Sequence, residues 1–164
     1  MAMLNHLEIE REITHLLKTI SVDEDFDFKL PLEINATTNG ITYGIPVVIS
    51  MFSDAFYFQI AFGDYKRSNY MQISLRLLIG EVVVDNATLA LCNKLNTKLL
   101  FAKTLLNEDE AVPYLTIEHD FSALNLEQVS EAIYDFMSDL IDDDVSPLIE
   151  TLLKKMIDTD ENKA

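Results

Sequence analysis

Leu4, Leu7, Ile13, Leu16, Leu17 and Ile20 recur at intervals of three and four residues, the period at which side chains share one face of an α-helix. The spacing predicts an opening helix whose apolar stripe lies against a sheet. The period then changes. Phe26, Phe28, Leu30, Leu32 and Ile34 alternate with mostly polar neighbours, the pattern of a strand with one buried face. Asn39-Gly40 is a strong turn signal and Ser53-Asp54 a weaker one, so 41–52 and 55–62 are the next strands of an antiparallel meander. Pro46 has no ladder donor and is expected at an edge or at the start of a paired stretch. A polar loop over 63–69 leads to a fourth strand, in which Met71, Ile73, Leu75, Leu77 and Ile79 alternate.

Asp85 or Asn86 is positioned to cap a helix reaching Lys98, with Ala87, Leu91 and Leu95 in an i, i+4 row and Leu89 and Cys92 widening its apolar face. Two further strands, 99–106 and 112–121, are expected to form a hairpin across the polar connection Asn107 to Glu110. Asn125 with Gln128 approximates a capping box. Leu126, Val129, Ile133, Phe136, Met137, Leu140 and Ile141 follow at helical spacing. Ser146-Pro147 opens a last helix carrying Leu148, Ile149, Leu152, Leu153, Met156 and Ile157, and Asp142-Asp143-Asp144 occupies the break before it. No repeat or Gly/Ser linker divides the chain. The expectation is a single α+β domain over 1–164, an antiparallel sheet of about five to six strands packed on N-terminal, central and C-terminal helices, with a polar tail from about 158.

Charge narrows the function. The net charge is −16, with 28 acidic against 12 basic residues, so phosphate backbones and anionic membranes are repelled over most of the surface. Neither nucleic acid nor membrane is expected as a partner. The acids are unevenly placed: residues 107–164 hold 16 acids and 3 bases, and no Lys or Arg occurs between Lys103 and Lys154. That acidic third is either a solvated face or a surface that steers a basic partner. The single Cys92 makes an internal disulfide impossible and fits a reducing compartment. Charges interrupt the N-terminal apolar residues and no apolar run elsewhere is long enough to span a bilayer, so a cytoplasmic location is expected. Asn35-Ala36-Thr37 and Asn86-Ala87-Thr88 match the glycosylation pattern, which has meaning only in a secretory context.

Catalytic chemistry finds little support. His6, His15 and His119 pair with no second His, Cys or Glu at a metal-binding spacing, and the consecutive Glu118, His119 and Asp120 of a strand point to alternating sides. There is no nucleophile elbow, paired cysteine or phosphate-binding glycine loop, and Asp142-Asp143-Asp144 lacks the spacing of a calcium loop. No catalytic residue, metal site or cofactor is assigned, and the chain is read as non-enzymatic. Carboxylates that meet only in the fold keep an enzyme as the lesser alternative. The apolar stripes of the last two helices, with Phe136, Leu140, Leu148 and Leu152 beside Asp142, Asp143 and Asp144, form a candidate partner surface. Completion of the monomer core is the competing account of the same stripes.

From about Met71 onward the chain resembles the YbjN-like bacterial domain family, which is similar in fold to the type III secretion chaperones. The resemblance rests on Asn93-Lys94-Leu95-Asn96 at the end of the central helix, with Asn93, Leu95 and Asn96 matching an Asn-x-Leu-Asn stretch. The strand from Leu99, the acidic turn Asn107-Glu108-Asp109-Glu110, the strand Tyr114 to Phe121 and the helix from Asn125 follow in the same order. The resemblance covers about half of the chain and implies a chaperone-like or regulatory protein-binding module, often a homodimer, with no catalytic residues to carry over. Independently of it, Asn93 and Asn96 are expected to satisfy exposed carbonyls where the helix ends. The sequence thus points to a cytoplasmic protein-binding module with a protein partner. The alternative is an acidic inhibitor or immunity-type protein that blocks a basic one.

Overall fold

The computed structural model describes residues 6–21, 25–37, 40–63, 71–107 and 113–156. The order is α1 (His6–Ser21), β1 (Phe26–Phe28), β2 (Glu33–Thr37), β3 (Gly40–Ile49), β4 (Asp54–Gly63), β5 (Met71–Glu81), α2 (Asn86–Lys98), β6 (Lys103–Asn107), β7 (Tyr114–Ala123), α3 (Leu126–Leu140) and α4 (Ser146–Leu153). A short 3-10 turn, Ser50–Phe52, joins β3 to β4. The strands form one antiparallel sheet in the order β1-β3-β4-β5-β7-β6, with β2 also paired to β3. This is the α+β class expected from the patterning, with seven strands in place of five to six. The extra strand arises because 26–34 is not one strand: the chain breaks after Phe28, turns through the cis Leu30–Pro31 bond, and resumes as β2.

Register explains the core. Ile45, Phe58, Leu77, Ile117 and Thr104 are successive cross-strand partners, and all are buried. Residues of that parity face the helices: α1 packs on β1, α3 on β5 and β7, and α2 on β6, while α4 packs on α2. The row of opposite parity, Glu33, Gly44, Gln59, Arg76, Glu118 and Lys103, runs across the face on which no described helix packs. An antiparallel sheet tolerates one solvated face, because alternate side chains are free to be polar.

Pro46 is the clearest departure from expectation. It lies inside β3, paired with Tyr57 of β4, rather than at an edge. Its carbonyl accepts the Lys29 N–H at 2.9 Å, and Ser50 N–H donates to Asp25 O, so even-numbered residues of β3 turn their polar groups toward β1 and β2. The donor that proline lacks therefore faces the break between β1 and β2, where no strand needs it.

Two helical stripes are rotated from the expected ones. In α1 the buried residues are Ile9, Ile13, Leu17 and Ile20, Leu16 is half-buried, and Leu7 is exposed. In α2 they are Thr88, Cys92 and Leu95, whereas Ala87 and Leu89 are exposed. Thr88 is buried because its hydroxyl bonds the Val83 carbonyl at 2.8 Å and the Asp85 carboxylate at 2.9 Å. Asp85 caps α2 by accepting Thr88 N–H, which holds its carboxyl below the usual range. Asn125 caps α3 through Gln128 N–H, and the Gln128 side chain returns to Leu124 N–H, one residue earlier than in a strict capping box.

The strand expected from Leu99 begins only at Lys103. The expected strand 112–121 runs as β7 from Tyr114, and Val112 is outside the described residues, as are Leu4, Asn39, the loop 64–70, the turn 108–110 and the tail from 158.

Candidate functional site

The residues singled out on the last two helices do not form a surface. Phe136 and Leu140 are 0% exposed, Leu152 is 2% exposed, and Leu148 is half-buried. Phe136 packs against Phe58 of β4 with ring centroids 5.7 Å apart. These side chains complete the monomer core, because α3 lies flat on the sheet and α4 closes over α2. Asp142, Asp143 and Asp144 are exposed in the turn between α3 and α4, where Asp142 Oδ1 accepts Asp144 N–H. The two halves of the candidate partner surface are thus separated, and only the acidic half is accessible.

The Asn-x-Leu-Asn stretch performs a different job from the one expected. Asn93 is exposed and Leu95 is buried. Asn96 reaches across to β6, where its Oδ1 accepts Thr104 N–H at 2.7 Å and the Thr104 hydroxyl at 2.9 Å. It acts as an acceptor for an edge strand rather than as a donor to helix carbonyls. Thr104 N–H is thereby turned away from β7 and occupied, which blunts the β6 edge against pairing with another chain. Cys92 lies in the same contact, and burial pushes its thiol up, away from nucleophilic ionisation.

A buried carboxyl that sequence reading missed organises the neighbouring loop. Asp139 of α3 is 5% exposed, and its Oδ2 accepts the backbone N–H groups of both Leu100 and Phe101 at 2.9 Å. This pins the α2–β6 connection to the end of α3 and explains why no strand starts at Leu99. It also leaves Leu100 at 80% and Phe101 at 40% exposure. No local pattern signals such a contact, since the partners are 38 and 39 residues apart in sequence.

His119 lies near this point, its ring stacked on Phe121 at 5.0 Å and 17°. Burial lowers its pKa, against the opposing pull of the Asp120, Asp139 and Asp135 carboxylates. A histidine whose folded pKa is depressed costs stability as pH falls from its ordinary value of 6.5 toward the lower folded value. The expected result is a urea midpoint that drops between pH 7.5 and 5.5 by more in the wild type than in His119→Gln. Equal drops would remove His119 from the pH response. Beside it, Ser130, Glu131, Tyr134 and Asp135 line an open depression of about 450 Å³ on α3. Among the described residues no three His, Cys, Asp or Glu side chains converge in a way that could hold a metal ion. No described helix is long and apolar enough to cross a membrane.

The helix-free face of the sheet is polar and fixed by side-chain bonds. Tyr57 crosses over Gly44 to donate to Glu33 Oε2 at 2.5 Å. A Cβ at Gly44 would lie 2.0 Å from the Tyr57 hydroxyl, so this crossing requires glycine. Burial first, and the Glu33 bond second, raise the Tyr57 pKa to about 12. Glu118 accepts from Thr116 at 2.7 Å and pairs with Arg76 at 3.3 Å.

The two sheet edges differ. β6 is blunted by Asn96, whereas the described side chains of β2, Glu33 to Ala36, are all exposed, and among the described residues β2 pairs only with β3. Even-numbered residues of β3 point to β2, and the register Thr42↔Asn35 and Gly44↔Glu33 makes those the bonded pairs. The N–H and C=O groups of Ile34 and Ala36 therefore face outward. No protein-family model matches the chain, and no curated protein matches it either.

Proposed function

We propose that the protein is a cytoplasmic, non-enzymatic protein-binding module, chaperone-like or regulatory, which captures an extended segment of a protein partner along β2. The observation that carries this reading is the β2 edge, which no described residue other than those of β3 pairs, with the backbone groups of Ile34 and Ala36 facing outward beside an Ile34 side chain at 45% exposure. An added strand gains main-chain hydrogen bonds from such an edge, and the side chains that flank it supply selectivity. On the opposite edge, Asn96 already occupies the Thr104 N–H, one of the outward donors of β6, which favours capture along β2. The charge of −16 and the uncovered polar sheet face keep the unliganded protein in solution and disfavour nucleic acid as a partner.

Ala36→Pro removes one outward donor at a position where an edge strand tolerates proline. It is expected to leave the far-ultraviolet circular dichroism unchanged and to reduce partner capture from the native cell at least about tenfold, the loss of roughly one hydrogen bond plus a steric block. Capture that is undiminished in this variant would remove β2 as the site. A second reading, an inhibitor that binds a basic protein, is favoured by the exposed acids Glu127 and Glu131 on α3 and Asp142, Asp143 and Asp144 beyond it. Its mark is capture that collapses as salt is raised, because exposed charge pairs are screened.

A further inference from the structure

The register of β2 fixes which side chains an added strand meets, and with them the chemistry of the segment captured there. Ile34 and Ala36 are the cross-strand partners of Tyr43 and Ile41, so they lie on the face of the sheet that carries the helices. Tyr43 is fully buried and Ile41 is half-buried, and this apolar row ends at the edge in Ile34 at 45% exposure. Glu33 and Asn35, opposite Gly44 and Thr42, lie on the other face, and both are exposed. The Tyr57 hydroxyl donates to Glu33 Oε2, which anchors that carboxylate beside the edge. On the helix side, burial first and the Glu10 carboxylate second raise the Tyr43 pKa to about 12, which places Glu10 of α1 near the residue that pairs with Ile34.

No cation offsets these acids nearby in the chain. Lys29 is paired with Asp27, and from Leu30 to Tyr65, the stretch that contains β2, β3 and β4, the sequence has no Lys, Arg or His. The edge therefore offers apolar side chains on one face and carboxylate or amide oxygens on the other. Given capture along β2, on which this selectivity rests, we propose that the captured segment alternates branched apolar residues with lysine or arginine. Its apolar side chains lie beside Ile34 and Ala36, and its basic side chains lie beside Glu33 and Asn35. Successive residues of a strand point to opposite faces, so one extended segment satisfies both sides of the edge at once. Branched apolar residues favour the extended backbone, and opposite charges on neighbouring strands attract. An alternating acidic segment meets Glu33 and the field of a chain of charge −16, and is rejected.

The test titrates the purified full chain into capped, fluorescently labelled heptapeptides and reads anisotropy. One peptide alternates lysine with valine, a second holds the same residues as a block of lysines followed by a block of valines, and a third alternates glutamate with valine. The alternating lysine peptide is expected to bind wild type at least about tenfold more tightly than either of the others. The block peptide has the same charge and composition, so diffuse attraction to an acidic chain holds both lysine peptides equally. Ala36→Pro, which leaves the charge unchanged, is expected to abolish the preference. Glu33→Gln keeps an acceptor for Tyr57 without the charge and is expected to weaken the alternating lysine peptide about threefold. Equal binding of the two lysine peptides, or undiminished binding to Ala36→Pro, overturns the proposal. If the two alternating peptides bind alike and both are lost in Ala36→Pro, the charge preference is wrong while capture along β2 stands. Binding of none of the three overturns the selectivity, and capture of the native partner, compared between wild type and Ala36→Pro, then decides separately whether β2 is the site.

Discussion

Phe136→Ala is expected to lower the unfolding free energy by about 3–5 kcal/mol, the range for removing a large aromatic from a well-packed core. The side chain is 0% exposed and joins α3 to the sheet through Phe58, which in turn packs on Phe28 at 6.2 Å. Truncation therefore opens a cavity at the centre of a three-element contact rather than at a surface. In urea the midpoint should fall with little change in slope, and the thermal midpoint should drop by roughly 10 °C for a domain of this size. A change below about 1 kcal/mol would show that the residue lies at a solvated or partner-facing position. The same substitution thus separates the core role of α3 from the binding role that its apolar stripe suggests when read as sequence.

Asp139→Ala should have the second-largest effect, about 2–4 kcal/mol. The lost side chain removes two hydrogen bonds to a charged acceptor, each worth about 1.5–3 kcal/mol, of which water recovers part because Leu100 and Phe101 lie on an exposed loop. Local consequences should exceed global ones. Amide exchange at Leu100 and Phe101 is expected to accelerate, while the amides of β4 and β5 change only by the global destabilisation. Asp139→Asn keeps a side-chain carbonyl acceptor and should retain part of the protection. If Asp139→Ala leaves those two amides as protected as in wild type, the carboxyl does not organise the loop.

Much of the architecture was legible because its signals are local. The expected strands 41–52 and 55–62 were legible as neighbours from alternation and turn chemistry; they pair from Ile41↔Phe62 to Val48↔Ala55, while Ser50–Phe52 forms a 3-10 turn rather than the end of the first strand. The Asn125 cap was legible for the same reason, and the α2 cap was narrowed to Asp85 or Asn86, of which the structure uses Asp85; each cap accepts an amide only three residues ahead. Where a helix or strand was misread, a longer-range contact had intervened. Leu99 to Ala102 has the composition of a strand, but Asp139 binds its amides and holds it as a loop. Pro46 is excluded from central strands by a rule about donors, and it is tolerated here because its missing donor meets a break in the neighbouring strand.

The surface was less legible than the fold. Periodicity identifies an apolar face but not what covers it, so Phe136, Leu140 and Leu152 looked equally suited to a core and to a partner. Asn96 was noticed as part of a motif, yet its acceptor role depends on β6 arriving eight residues later. Asp139, Gly44 and the β2 edge gave no signal, because each is defined by a neighbour distant in sequence. By itself the sequence determined the order of helices and strands, the antiparallel pairing, the single α+β class and the strong negative charge, all of which follow from local periodicity, turn residues and composition. Only the tertiary structure decided which apolar stripe is buried and which distant side chain takes a loop or edge amide, as Asp139 and Asn96 do, because those outcomes depend on contacts that local periodicity does not encode.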